Sequence, residues 1–251
     1  MTLTTTPFPA VQQPLDVISI DFMMFKLLSH SGGYFISMSH PLFLRAASLF
    51  LLVILFQVIV AKVNLNKAMK RRLQHALTGH VLVQISYFLP LNICIALLVL
   101  GATAMYISQQ YFGTWFRKVF GDLLRADERM MGKLPGAFYF LVGTALTALL
   151  CDDLKVARYA VECLSLADPM ASYIGSTIRS PKLCKGSTLS GCIACFVTAL
   201  GVGYIMLGPT VSNETLLLGS LACTIAEAVP YGNDNLNIPL ITGIFVDKFQ
   251  K

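Results

Sequence analysis

Charged side chains are scarce in this chain: 13% of its 251 residues, against 55% hydrophobic. Soluble domains carry nearer a quarter charged, because they must coat a core with polar surface. A chain this poor in charge has little with which to cover its apolar sides, and that points to the bilayer as its solvent. The signatures of the common nucleotide and hydrolytic sites are missing too. There is no GxxxxGK[ST], no GxGxxG after a strand-like run, no HExxH and no GxSxG, so a nucleotide site here is of an unfamiliar, helical type. Met1 to Pro14 hold no charged side chain, so the basic n-region of a cleaved signal peptide is absent. Cys192 and Cys195 form a CxxC, but no second pair or histidine stands at metal-ligand spacing. They read as small residues on one helix face, and Cys184 as the most exposed thiol.

What the chain does have is long apolar runs separated by basic loops. Residues 1–41, with Pro7, Pro9 and Pro14, read as a tail with a weak amphipathic helix at 15–29, and 42–251 as one membrane domain. Spans are expected at Leu42–Ala61, Leu134–Cys151, Val156–Ile174, Thr188–Leu207 and Thr215–Val229. Ala76–Ile107 is too long for one span and short for two; Pro90 and Asn92 at its middle divide it into two helices with a tight turn. The fold class expected is therefore all-α, a polytopic transmembrane bundle of about seven spans. From Tyr231 the chain reads as a tail with a short apolar run.

The net charge of +6 is distributed in a telling way. Three loops hold 13 of the 19 Lys and Arg: Lys62–Arg72, Arg117–Lys133 and Arg179–Lys185. Two spans separate each from the next, so all three fall on one side, the cytosolic side by the positive-inside rule. The opposite turns carry Asp152, Asp153 and Glu214; Lys155 and Arg158 fit that scheme poorly. Basic residues between apolar runs suit acidic headgroups, and no nucleic-acid partner is expected.

Ionisable groups inside spans are costly, so they face a cavity or a partner. Glu162, Asp168 and Glu227 are three such acids. Asp168 and Glu227 approach the face that holds Lys182, Lys185, Asp234 and Asn235. Acids and an amide carbonyl can hold Mg²⁺, which prefers oxygen, and lysines can neutralise the phosphates that it bridges. His75, beside Arg71 and Arg72, has a pKa suited to carrying a proton. Helix–helix polar contacts and ordinary headgroup contacts are the competing readings of these same residues.

Four segments in this order resemble a family. They are Arg71-Arg72-Leu73-Gln74-His75 with Gly79, Ala167-Asp168-Pro169-Met170-Ala171-Ser172-Tyr173-Ile174-Gly175, Lys182-Leu183-Cys184-Lys185-Gly186-Ser187, and Glu227 followed by Asp234-Asn235-Leu236-Asn237-Ile238-Pro239. Glu128 to Tyr139 is a weaker match. Together they look like the CTP-dependent membrane lipid-alcohol kinases: dolichol kinase, phytol and farnesol kinase, and the fungal-type diacylglycerol kinase. Ala167 stands where that family has Gly, and Leu183 where it has Ser. The resemblance implies transfer of the γ-phosphate of CTP to a lipid hydroxyl at the cytosolic face, in the endoplasmic reticulum or a plastid. It implies Mg²⁺ on Asp168, Asp234, Asn235 and Glu227, and nucleotide against Arg72, Lys182, Lys185, Gly186 and Ser187. The proton acceptor is Asp168 or His75. The related phosphatidate cytidylyltransferases end in motifs that this chain lacks, and a transporter or scaffold is the alternative from another class.

Overall fold

A computed structural model of the chain describes residues 40–120, 124, 128, 133–184, 186–229 and 232–250. The tail and the helix expected at 15–29 lie outside the described residues, as does Lys185. Residues 35–251 make one compact unit.

The unit is all-α apart from one small hairpin. Helices α1 His40–Lys62, α2 Lys67–Ser86, α3 Leu91–Tyr111 and α4 Gly113–Phe120 come first. Then α5 is Gly136–Leu150, and α6 Leu154–Glu162 runs through a π-helical segment, Cys163–Ala167, into α7 Asp168–Thr177. Strands β1 Lys182–Cys184 and β2 Ser187–Thr188 pair antiparallel around Gly186, which turns at φ 102°, a conformation that glycine adopts freely. Helices α8 Leu189–Met206, α9 Asn213–Ala228 and α10 Asp234–Phe249 follow.

Pro90 breaks the long apolar run as expected, since it stands at the N-cap of α3. The first basic loop is shorter than expected. Asn66 accepts a hydrogen bond from the Met69 N–H at 2.8 Å and starts α2 there. Lys67, Lys70, Arg71, Arg72 and His75 are therefore on the first turns of a helix, with defined facing. The polar stretch after Tyr111 likewise contains α4, with Phe116 buried and Trp115 exposed.

The largest departure is α10, a 16-residue helix where a tail was expected. Asn233 accepts from the Asn235 N–H at 3.1 Å and caps it. Pro239 has no N–H for the Asn235 carbonyl four residues earlier. Helix α5 occupies that side: a Cβ on Gly143 would stand 2.5 Å from the Asn235 oxygen, so only glycine permits the approach. Helix α10 packs against α5, α6 and α9, and with them buries Tyr159, Leu164, Leu216, Ile238 and Val246.

Helices α3 and α8 are long and apolar enough to cross a membrane; α5 is apolar but has 15 residues. The misfit cation Arg158 is used within the protein. It donates through Nε to Ser86 Oγ at 2.9 Å and through Nη2 to the Ser86 carbonyl at 2.7 Å, and lies 4.0 Å over the Tyr87 ring. A cation there satisfies the exposed carbonyls at the C-terminus of α2. Nearby in sequence to α6, buried Asp247 of α10 accepts the Asp152 and Asp153 N–H groups at 3.0–3.1 Å.

Candidate functional site

Four helix ends and the hairpin, from five separate stretches of chain, surround a cavity of about 510 Å³. The start of α2 contributes Arg72, α7 contributes Asp168, the hairpin contributes Gly186 and Ser187, the end of α9 contributes Glu227, and the start of α10 contributes Asp234. These six residues all come from the segments singled out in the sequence. Close packing brings the walls together. A Cβ on Gly175 would lie 2.7 Å from Thr188 Oγ1, and one on Gly191 would lie 3.0 Å from the Ala171 carbonyl.

Arg72 is held rigidly. Its Nε donates to Ser172 Oγ at 3.0 Å, and its Nη2 donates to the Ser172 carbonyl at 2.9 Å and to Ser176 Oγ at 3.0 Å. Its guanidinium also stands 5.9 Å from the centre of the Tyr173 ring. Among the described residues no protein acceptor takes its Nη1 hydrogens. A guanidinium fixed on one side and open on the other is suited to forked recognition of phosphate.

The cavity also holds acids. The charges of Asp168 and Asp234 both bear on Glu227. One Glu227 oxygen, Oε2, is buried with no hydrogen-bond partner among the described residues. A buried carboxylate oxygen left without a donor is expensive, and a cation is the simplest partner for it beside two further acids. Among the described residues no three His, Cys, Asp or Glu side chains form a ready-made cage. Mg²⁺ rarely needs one: it takes one or two carboxylates, keeps waters, and completes its shell with phosphate. One or two of Asp168, Glu227 and Asp234 would be enough for such an ion.

Three expected site residues stand elsewhere. Asn235 is buried, does not line the cavity, and donates its amide to the Gly136 carbonyl at 2.8 Å. This bond ties α10 to α5. Lys182 is exposed on β1 and does not line the cavity either. It pairs with Thr188, which does line the cavity. His75 lies behind Asp168, with Nε2 3.8 Å from Oδ2. The same Nε2 is 3.1 Å from the Leu164 carbonyl. A carbonyl only accepts, so this nitrogen carries the proton and is not free to take another.

Other acids have structural partners. Glu162 meets His80 Nδ1 at 2.5 Å, which gives His80 a partner that the sequence did not reveal. Glu128 accepts the Gly136 N–H at 3.0 Å at the start of α5. Cys184 is exposed as expected, and Cys195 lies 4.0 Å from Cys223 rather than pairing with Cys192. Ser172 and Ser176 were missed. Their i, i+4 spacing, which puts both on one helix face, is the signal that could have found them.

Comparison with known proteins adds little chemistry. No family model matches the chain, and no solved structure matches it. An uncharacterized protein of Methanocaldococcus jannaschii is 25% identical over 152 residues, which cover 60% of this chain and 75% of the archaeal one.

Proposed function

We propose that this protein is a membrane lipid kinase that moves the γ-phosphoryl group of CTP to the hydroxyl of a lipid alcohol. One observation carries the reading. Arg72, Asp168, Gly186, Ser187, Glu227 and Asp234, drawn from dispersed segments, line one cavity that holds a cation together with acids.

The membrane setting rests on α3 and α8 and on outward apolar side chains along other helices, such as Leu51, Leu55, Leu221 and Ile241. In this reading the long helices are spans, and α10 adds one to the seven expected. The basic residues at the start of α2 and on the hairpin share the cavity's end, which makes that end cytosolic. A lipid tail lies among the helices with its hydroxyl at the interface, and nucleotide enters from the cytosol.

Phosphoryl transfer is mostly positioning and charge neutralisation. Arg72 binds phosphate oxygens through its open edge. The Gly186 backbone lets the phosphates approach, and the Ser187 hydroxyl stands beside it. Lys182, exposed on the hairpin, adds positive charge nearby. Asp168, Glu227 and Asp234 would hold Mg²⁺, which when bound neutralises the phosphate charge. The alcohol oxygen forms the new bond to the γ-phosphorus as the bond to the β-phosphate oxygen breaks. The hydroxyl proton passes to an Asp168 carboxylate oxygen, because His75 Nε2 is already a donor. CDP leaves.

The test is transfer from CTP, labelled at either the γ- or the α-phosphate and compared with ATP, to a panel of phytol, farnesol, dolichol and diacylglycerol in isolated membranes. Lipid labelled from the γ-position supports the kinase and names its acceptor. Label from the α-position means nucleotidyl transfer instead. The Asp168→Asn variant should lose transfer while still inserting; full activity in it refutes the site.

A further inference from the structure

The π-helical segment Cys163–Ala167 stands directly before Asp168. Two residues on, Pro169 explains why a normal α-turn fails here. A proline inside a helix removes the N–H owed to the carbonyl four residues back and presses its ring on that carbonyl. Widening the turn relieves the pressure, and π segments of this kind concentrate at functional sites. Widening creates a second problem. In a π-turn the bond runs to the carbonyl five residues back. Five residues before Pro169 is Leu164, and Pro169 has no N–H to give it. The Leu164 side chain is fully buried, and a buried carbonyl without a donor is destabilising.

The donor comes from another helix. His75 Nε2 reaches the Leu164 carbonyl at 3.1 Å. The imidazole is steadied edge-on against Phe140, with ring centroids 5.2 Å apart. One turn further along α2, Gly79 faces Ser165 so closely that a Cβ would stand 1.8 Å from the Ser165 hydroxyl. Helix α2 is thus seated on the π segment at two successive residues, the Leu164 carbonyl and the Ser165 side chain. The face that Asp168 presents depends on the segment's winding, because each residue of an α-helix rotates the next by about 100°. Were the segment to relax to α-helical winding, one residue's worth of rotation would turn the carboxylate away from the cavity.

We propose that His75 is a positioning residue. By donating its Nε2–H to the Leu164 carbonyl, it locks the π segment in the winding that aims Asp168 into the cavity. The role rests on the kinase reading only for its catalytic consequence; the lock itself is a property of the fold.

Two variants separate the donor from the ring. His75→Gln keeps an N–H at similar reach, and His75→Leu fills space without one. Full-length protein in nanodiscs is examined by amide hydrogen exchange over residues 163–168, and by CTP-dependent transfer with kcat and KM resolved. In His75→Leu, exchange should rise at least about ten-fold over that segment and not in α8. Its kcat should fall by about 10- to 100-fold, with KM for CTP held near wild type because Arg72 is untouched. His75→Gln should restore both. Unchanged exchange in His75→Leu overturns the proposal, and so does a His75→Gln variant as impaired as His75→Leu. If wild-type protein transfers no phosphate, the kinase reading has failed, and the exchange measurement alone decides for or against the lock.

Discussion

Replacing Gly79 by alanine tests the seating of α2 more severely than any change in the cavity. The new Cβ would sit 1.8 Å from Ser165 Oγ and 2.6 Å from Ser165 Cβ, where carbon contacts are comfortable at about 3.5–4.0 Å. The hydroxyl cannot swing away without loss, because it donates to the Val161 carbonyl at 2.6 Å. Even if it did, the Cβ–Cβ clash would remain. The helices must therefore part by about 1 Å or more, which also pulls His75 from the Leu164 carbonyl. Overpacking of this kind costs about 1–3 kcal/mol. Better helix propensity returns about 1 kcal/mol, so a net loss of about 2 kcal/mol is expected at the severe end of that range. Gly201→Ala is the control, because nothing lies within 4 Å of its new methyl group; propensity alone should leave it neutral or stabilised by up to about 1 kcal/mol. Thermal unfolding in detergent compares the two variants. A Ser165→Gly background, which removes both clashing atoms, should erase most of the Gly79→Ala penalty. If Gly79→Ala is as stable as Gly201→Ala with Ser165 in place, or if its penalty persists undiminished in the Ser165→Gly background, α2 is not seated on the π segment and the reasoning fails.

Two further outcomes follow from the geometry. Arg72→Lys keeps the charge but cannot reproduce the fork to Ser172 and Ser176. KM for CTP should rise about ten-fold or more, as for loss of a charged hydrogen bond of about 1.5–3 kcal/mol, and titration of the rate with CTP reads it directly. Asp247→Asn weakens an anion that accepts two backbone N–H groups. Stability should fall by about 1–3 kcal/mol in chemical denaturation, with KM for CTP unchanged; a shift in KM would mean that this group communicates with the cavity.

How much of this was legible in the sequence depends on the range of the interaction. Apolar runs and Pro90 are local signals, and they placed α3, α5, α8 and α9 to within a few residues. Helix α10 was hidden because Asp234, Asn235 and Pro239 are individually poor helix residues. Their tolerance comes from the Asn233 cap and from Gly143, and the second of these is a partner far away in the chain. The cavity's acids were visible because an ionisable residue in an apolar run is conspicuous wherever it points. That Asn235 lies outside the cavity lining was hidden for the complementary reason: proximity to Asp234 in sequence says nothing about which side of a helix an amide takes. Lys182 stood out by charge alone, yet it is exposed on its strand and does not line the cavity. The His80–Glu162 contact spans 82 positions, and no spacing rule reaches that far.

The order in which the chain is made gives α10 a consequence of its own. Arg72 emerges early, Asp168 midway, Glu227 later, and Asp234 only with α10. Until that helix has docked on α5, one wall of the cavity does not exist, however well the rest is folded. A nascent or shortened chain that stops before residue 234 lacks Asp234 in that wall and leaves uncovered the faces of α5, α6 and α9 on which α10 packs. The fold thereby ties the closing of the cavity to the completion of α10.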